Sequence, residues 1–247
     1  MTTNVLDHRN RRVTSDSRWS VHYEGNLYFV DDTGFDKIED RSVAVMICAG
    51  NAGLIEQWRN WFVDDNCVTI PETEFHLPDG TVEQAVYVTI IGKPDFAVLF
   101  SSGLYSAFQS DALFCGSGAE YAKDCYSVNG CSLRCIESAK VGDPQTGGEI
   151  KFVEFDISNN NLSVPQMTLQ ELEDELFNRG KVMTIQTRDI ASMNDMDREK
   201  LKKALSAGTV SMSAPTGQAP RAWTDREKLD VLEIKKKIVE KERAASQ

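Results

Sequence analysis

Histidine is scarce in this chain, and the few histidines present do not indicate a conventional catalytic triad. The 247 residues include three, His8, His22 and His76. None of them lies in a pattern with a serine or cysteine and an aspartate that would predict such a triad. We therefore expect these histidines to be structural or exposed, and a nucleophilic enzyme built from this sequence would need a base of another kind.

Long apolar runs are also missing. No run reaches the roughly 18 residues that a transmembrane helix needs. The first residues, which include Arg9, Arg11 and Arg12, are too polar for a signal peptide. These absences predict a cytoplasmic protein with no membrane partner. The Gly-rich turns lack the Gly-Lys-Ser/Thr ending, so the chain is expected to have no P-loop of its own.

Positive charge is in deficit, since the formal net charge is -11. A chain of this charge has no overall field that attracts a nucleic acid or an anionic membrane, and we expect neither as a partner. The hydrophobic content of 41% is enough for one sizeable core that carries an appendage.

Metal ligands do not cluster in the sequence. Among the six cysteines, Cys131 and Cys135 are one helical turn apart, but no histidine or further cysteine lies close enough to complete a zinc set. In a reducing compartment the cysteines are better explained as small buried hydrophobic residues than as disulfides. The sequence predicts no metal site and no cofactor.

Hydrophobic periodicity predicts a mixed α+β protein. Residues 43–50 form a continuous apolar run, typical of a strand covered on both faces, and residues 52–63 repeat apolar side chains at helical spacing. Further strands are predicted at 4–7, 12–19, 27–30, 85–91, 96–101 and 149–157, and further helices at 119–128, 132–141, 169–177, 196–205 and 225–245.

The composition changes along the second half of the chain. Residues 1–158 carry the strand and helix pattern of one globular domain, and residues 159–209 are mainly helical. Residues 210–223 are rich in Ser, Ala, Pro and Gly and are predicted to be a linker. Residues 224–247 are highly charged and predict a C-terminal helix, either a docking or oligomerisation element or simply a solvated helix.

The start of the chain carries the first chemical signal. If Met1 is removed, Thr2 becomes the first residue, and its own α-amino group can act as the base for its hydroxyl. This chemistry needs no histidine. A threonine at this place is common by chance, so the prediction depends on further residues of such a site.

Several later motifs could supply those residues. They are an Asp-Ser-Arg triplet at Asp16, Lys37 before an apolar strand, an Ala-Gly turn at Gly50, a Gly-Ser-Gly around Ser117, and an Asp-Pro-Gln-Thr-Gly-Gly turn from Asp143. Taken singly, each has a structural explanation: the glycines permit tight turns, the serine can cap a helix, and a lone lysine is usually solvated. Their order along the chain favours one shared site.

In this order the motifs resemble the proteasome β-type family, including its bacterial HslV branch, over roughly residues 2–157. The resemblance implies a four-layer α/β/β/α sandwich, the N-terminal-nucleophile (Ntn) hydrolase fold, with the helical extension outside it. It implies catalytic roles for Thr2, Asp16, Lys37, Gly50, Ser117, Asp143 and Thr146.

The implied roles are specific. Thr2 would be the nucleophile, Asp16 would hold Lys37, and the ammonium of Lys37 would lower the pKa of the threonine hydroxyl. Gly50 would offer its backbone N–H as an oxyanion hole. Ser117 would lie near the nucleophile's amine, supported by Asp143 and Thr146. Ser20 and Cys48 would contact the substrate, the first along its backbone and the second in its side-chain pocket.

The function implied by the resemblance is a threonine-type endopeptidase. It would act on peptides or unfolded proteins within a homo-oligomeric ring, and an ATP-dependent unfoldase could feed it. Two alternatives stay open from the sequence. One is a non-catalytic assembly protein with the same fold, and the other is an Ntn amidase that acts on a small molecule.

Overall fold

The computed structural model of the protein describes residues 2–103 and 105–245. Met1, whose removal is expected, lies outside the described residues. The described part contains two antiparallel sheets and six helices, an α+β architecture. No helix in these ranges has both the length and the apolar character needed to cross a membrane. The helices are α1 (Ala52–Val63), α2 (Ala119–Asn129), α3 (Ser132–Gly142), α4 (Leu169–Arg179), α5 (Asp195–Ser206) and α6 (Asp225–Ala245).

The smaller sheet has six strands. Its centre is a hairpin of β1 (Thr3–Asp7) and β2 (Arg12–Asp16), joined by the polar turn predicted at residues 9–11, with Asn4 paired to Ser15. This register brings Thr2 and Asp16 to the same end of the hairpin. In spatial order the strands are β10 (Ala107–Gln109), β11 (Ala112–Gly116), β1 (Thr3–Asp7), β2 (Arg12–Asp16), β12 (Ile150–Glu154) and β13 (Asn159–Asn160).

The larger sheet has ten strands. Eight of them follow one path, in the order β15 (Ile190–Ser192), β14 (Lys181–Thr184), β4 (Asn26–Val30), β3 (Trp19–Tyr23), β16 (Ser213–Ala214), β6 (Ala44–Asn51), β8 (Val82–Gly92) and β7 (Glu74–His76). Off this path, β5 (Ile38–Asp40) pairs with β6, and β9 (Val98–Ser101) pairs with β8.

The two sheets pack face to face, with helices on their outer faces. Consecutive residues of a strand point to opposite faces, so Leu6 of β1 and Val45 of β6 meet in the apolar layer between the sheets. Val5 packs instead in a cluster with side chains of α2 and α3. Met46 lies in a third cluster, with side chains of α1, α4, α5 and α6. This layering is compatible with the predicted sandwich.

Helix α1 confirms the prediction at residues 52–63. Its first turn is capped by Asn51, whose side-chain oxygen accepts a hydrogen bond from the backbone N–H of Leu54 at 3.0 Å. Trp58, Trp61 and Phe62 recur at helical spacing and are buried against the larger sheet. The helix follows β6 directly, so it fixes the end of the strand on which Gly50 lies.

The second half of the chain packs onto the same core as the first. Leu172 of α4, Leu201 of α5 and Ile238 of α6 are buried in the cluster that covers α1 and the larger sheet. The stretch 210–223, predicted to be a linker, contributes β16 to the larger sheet and Trp223 to that cluster. The division of the chain at residues 158, 209 and 223 stays a prediction.

Candidate active site

Thr2, Asp16 and Lys37 meet at one end of the two sheets. Thr2 immediately precedes β1, Asp16 is the last residue of β2, and Lys37 immediately precedes β5 of the larger sheet. The hairpin turn therefore places the first two residues side by side, and the packing of the sheets brings the third to them. All three are buried, so Lys37 is not the solvated surface charge that a lone lysine would usually be.

The three side chains form a closed hydrogen-bonded triangle. Lys37 Nζ lies 2.9 Å from Thr2 Oγ1 and 2.9 Å from Asp16 Oδ1. The Thr2 hydroxyl donates to the same carboxylate oxygen of Asp16. An ammonium and a carboxylate on one hydroxyl polarise it, because the cation stabilises the oxygen as it loses its proton.

Asp16 receives hydrogen bonds on both carboxylate oxygens. The backbone N–H of Thr3 donates to Oδ1 at 3.0 Å, and those of Arg18 and Gly147 donate to Oδ2 at 3.2 Å and 3.1 Å. Burial by itself would raise the pKa of Asp16, but the charge of Lys37 and the hydrogen bonds outweigh it and hold the pKa below the ordinary value. Asp16 is therefore an ionised carboxylate with a fixed orientation.

The pKa of Lys37 is lowered from the ordinary value of a lysine. Burial is the main cause, and the adjacent carboxylate of Asp16 offsets only part of it. A lysine in this environment holds its proton less firmly than a solvated lysine. It can therefore exchange a proton with a neighbouring hydroxyl more readily, as lysines in catalytic sites do.

Ser117, Asp143 and Thr146 form a second hydrogen-bonded group beside the triangle. The hydroxyls of Ser117 and Thr146 both donate to Asp143 Oδ2, the latter at 2.6 Å. Thr146 Oγ1 also lies 2.7 Å from Thr3 Oγ1. Because the Thr146 proton is used on Asp143, Thr3 is the donor in that contact. The three predicted residues are thus brought together and tied to the residue after Thr2.

Two glycines of the site have backbone conformations that residues with a side chain rarely adopt. Gly50 has a φ of +117°, and a Cβ at this position would lie 1.9 Å from the carbonyl oxygen of Ala85. Gly116 has a φ of +93°, and its Cβ would lie 1.6 Å from the carbonyl oxygen of Thr2. Glycine is required at both places by backbone angle and by close approach.

The two residues predicted to contact substrate are both completely buried. Ser20 lies on β3, and its hydroxyl has no hydrogen-bond partner within the described ranges. Cys48 lies on β6 in the cluster that covers α1, where burial raises the pKa of its thiol. Its backbone N–H donates to the carbonyl of Lys37 at 2.8 Å, which helps to position the lysine. Their substrate contacts stay predictions.

Two parts of the site were not predicted. Thr3 contacts both hydrogen-bonded groups. The sequence marks it only by its position directly after Thr2, at the start of β1. The segment around β16 lies directly at the site, since the backbone N–H of Thr2 donates to the carbonyl of Pro215 at 3.0 Å. A cleft of about 400 Å³ adjoins it, lined among others by Gly50, Gln145 and Ser213.

Comparisons with known proteins give only distant likenesses. A comparison with protein-family models finds no match to the sequence, and a comparison with curated proteins finds none either. One solved structure with some likeness is Thiobacillus denitrificans BPH in complex with epoxomicin. It is 15% identical, with a TM-score of 0.35, over 58% of this chain and 99% of that chain. Another is eukaryotic HslV from Trypanosoma brucei, 13% identical, with a TM-score of 0.25, over 57% of this chain and 99% of that chain. Sequence identities and TM-scores this low do not establish a shared family or function.

Proposed function

We propose that this protein is a threonine-type endopeptidase with an Ntn-hydrolase fold, in which Thr2 is the nucleophile once Met1 has been removed. The observation that carries the proposal is the buried triangle of Thr2, Asp16 and Lys37, with Lys37 Nζ 2.9 Å from the threonine hydroxyl. A buried lysine and aspartate converging on one hydroxyl is costly to maintain in a protein core. Nucleophile activation gives that arrangement a use.

The proposed reaction has two steps. The Thr2 hydroxyl attacks the substrate carbonyl while its free α-amine accepts the proton, and the backbone N–H of Gly50 stabilises the oxyanion. The peptide C–N bond then breaks, and the proton passes to the leaving amine. The resulting ester on Thr2 is hydrolysed by water, which regenerates the hydroxyl and releases an acid. Lys37 stabilises the developing negative charge on the threonine oxygen, and Asp16 holds Lys37 in place.

The second group has a supporting role in the proposal. Ser117 and Thr146 hold Asp143, and Thr146 accepts a hydrogen bond from Thr3. This arrangement fixes the backbone that immediately follows the nucleophile, where small displacements alter the angle of attack. The sequence resemblance further suggests a homo-oligomeric ring, an ATP-dependent unfoldase as partner, and peptides or unfolded proteins as substrates. The particle size in solution tests the ring.

The chemistry is tested with a peptide epoxyketone, a probe that requires both a threonine hydroxyl and a free α-amine. The intact mass of the natively produced protein is measured before and after treatment. We expect loss of Met1 and a single adduct that maps to Thr2. The contradicting result is sought in a folded protein that has lost Met1, retains Thr2 and carries Ala214→Asp, the substitution proposed below to open the site. Absence of an adduct on that protein would contradict the proposal.

A second candidate function has one observation in its favour. Thr2 is completely buried in the present conformation, so no substrate can reach its hydroxyl without a rearrangement. This favours a non-catalytic assembly protein that has kept the fold. Retained Met1 in the native protein, together with the absence of an adduct, would support this candidate over the peptidase.

A further inference from the structure

Strand β16 fills a slot between two strands of the larger sheet. Ser213 pairs with Ser20 of β3 on one side and with Asn51 of β6 on the other, and Ala214 pairs with Gly50 of β6. In the described sheet β16 is the strand that stands between β3 and β6. Without it, both neighbours would present unpaired backbone groups to a single extended segment, the arrangement in which peptides bind by strand addition.

The pairing extends beyond the two residues of β16. The backbone N–H of Ala52 donates to the carbonyl of Met212 at 2.9 Å, and that of Thr2 donates to the carbonyl of Pro215 at 3.0 Å. The segment 212–215 is therefore held at both ends, by Ala52 at the start of α1 and by Thr2 just before β1. Its backbone passes directly over the nucleophile.

The side chain of Ala214 lies on the face of the sheet that belongs to Gly50, since directly paired residues share a face. Residues two apart on β6 also share a face, so Cys48 lies on the same side. The small side chain of Ala214 is completely buried there. In the proposed enzyme, Gly50 supplies the oxyanion hole, so Ala214 stands where a substrate residue would precede the scissile bond.

We propose that residues 212–215 are an internal pseudosubstrate, which occupies the peptide-binding slot in cis and keeps the protein closed until the segment is displaced. This inference rests on the proposed function, because it takes the slot between β3 and β6 for the substrate site. It explains the complete burial of Thr2. An extended peptide gains access by replacing β16, and its apparent affinity is reduced by the fraction of molecules in which the slot is open.

Three features of the chain around residues 212–215 favour displacement of this segment from the sheet. Its strand is only two residues long, and the flanking residues 207–212 and 215–224 contain neither helix nor strand. Gly208 and Gly217 bracket it with φ values of +65° and +73°. Glycines with positive φ can change their backbone angles at low cost, so they are suitable hinge positions.

The test compares two substitutions of alanine, one within residues 212–215 and one in the stretch that follows, both made in a Thr2→Ala background that cannot cleave. Ala214→Asp places a charge at a completely buried position and should expel the strand. Ala219→Asp places the same charge at an exposed position and is the matched control. Binding of a fluorescein-labelled peptide with the sequence of residues 211–216 is followed by fluorescence anisotropy, and cooperative thermal unfolding shows that each variant is folded.

We expect the peptide to bind Ala214→Asp at least about 10-fold more tightly than the control and the parent. Equal affinity for all three proteins, or no binding to a folded Ala214→Asp variant, would overturn the proposal. If that variant does not fold, hydrogen exchange of the backbone amides in the parent protein tests the proposal instead. Faster exchange at residues 212–214 than in β3 and β6 supports displacement, and equally slow exchange overturns it.

Two further results separate this inference from the proposed function. Peptide binding is measured in the Thr2→Ala background. A folded Ala214→Asp variant that binds the peptide therefore supports a peptide-binding slot between β3 and β6, even if the epoxyketone never reacts with a protein that carries Thr2. Conversely, a native protein cleaved after Ala214 would show that the segment is a substrate. Cleavage would overturn the pseudosubstrate while supporting the peptidase.

Discussion

Lys37 Nζ lies 2.9 Å from Asp16 Oδ1, and both side chains are completely buried. Asp16 ends a strand of the smaller sheet, whereas Lys37 precedes a strand of the larger one. The ion pair therefore joins the two sheets at the place where Thr2 lies. The same contact that would activate the nucleophile also depends on the sheets being correctly packed, so it affects both activity and stability.

Replacement of Thr2 should separate hydroxyl chemistry from assembly. Thr2→Ala removes the oxygen that contacts Lys37 and Asp16, and we expect peptidase activity to fall by at least about a thousandfold with the particle size unchanged. Thr2→Ser keeps the hydroxyl and should retain measurable activity. Full activity of purified Thr2→Ala on a fluorogenic peptide would show that the nucleophile lies elsewhere.

Replacement of Lys37 should destabilise the protein and also abolish the proposed peptidase activity. Lys37→Met leaves the carboxylate of Asp16 buried without its cation, a change that typically lowers the free energy of unfolding by about 3–5 kcal/mol. The double variant with Asp16→Asn should lose less than the sum of the two single variants. Lys200→Met, at a half-exposed lysine, is the control and should stay within about 0.5 kcal/mol of the parent in urea unfolding.

Asp16 should give the protein a characteristic acid sensitivity. Its pKa in the folded protein lies below the ordinary 3.8, despite burial, because Lys37 and several hydrogen bonds stabilise the carboxylate. Its contribution to stability is therefore complete above that value and is lost as the pH falls through the folded pKa. The difference in unfolding free energy between the parent and Asp16→Asn should shrink below about pH 3.8. A difference that stays constant through this range would contradict the assignment.

A methyl group at Gly50 should be far more damaging than one at a glycine with open space around it. At Gly50 the new Cβ would lie 1.9 Å from the carbonyl oxygen of Ala85, whereas at Gly80, with a φ of +84°, nothing lies within 4 Å. Gly80→Ala therefore measures the cost of the backbone angle alone, about 1–2 kcal/mol. Gly50→Ala should lose more unfolding free energy and all peptidase activity. Equal losses would show that β8 can move away.

Trp223 tests whether the C-terminal part can fold separately from residues 1–158. Its ring packs 4.8 Å from that of Trp58, between centroids, and its Nε1 donates to the carbonyl of Val86 at 3.1 Å. Trp223→Ala should lower the free energy of unfolding of the whole chain by about 3–5 kcal/mol in a single transition. Two transitions, with only the weaker one shifted, would instead favour independent folding of the C-terminal part.

Local patterns explain why much of the scaffold could be predicted. The apolar spacing of Trp58, Trp61 and Phe62 is visible within residues 52–63, and the polar turn at 9–11 separates two strand-like runs. The candidate site could be anticipated because its motifs follow one another in a known order. Each motif also stands at or next to the beginning or end of a strand or helix, where turns bring functional side chains together.

Strand β16 could not be predicted in the same way. Residues 210–220 have no alternation of apolar and polar side chains, and their Ser, Pro and Gly content is typical of a loop. Their extended conformation comes from backbone pairing with β3 and β6, which lie far away in sequence. Strand formation depends on such partners more than on intrinsic preference. For the same reason nothing local indicated that Thr2 would be covered.

The sequence alone determined the local elements and the identity of the chemical groups: a threonine next to Met1, one lysine ahead of an apolar strand, and glycines at the turns. Only the tertiary structure decided that Lys37 is buried against Asp16 and that Pro215 lies over Thr2. Those contacts join residues from different sheets and from opposite ends of the chain. They arise when apolar faces pack together, and a pattern read along the chain contains no information about which distant segment will complete them.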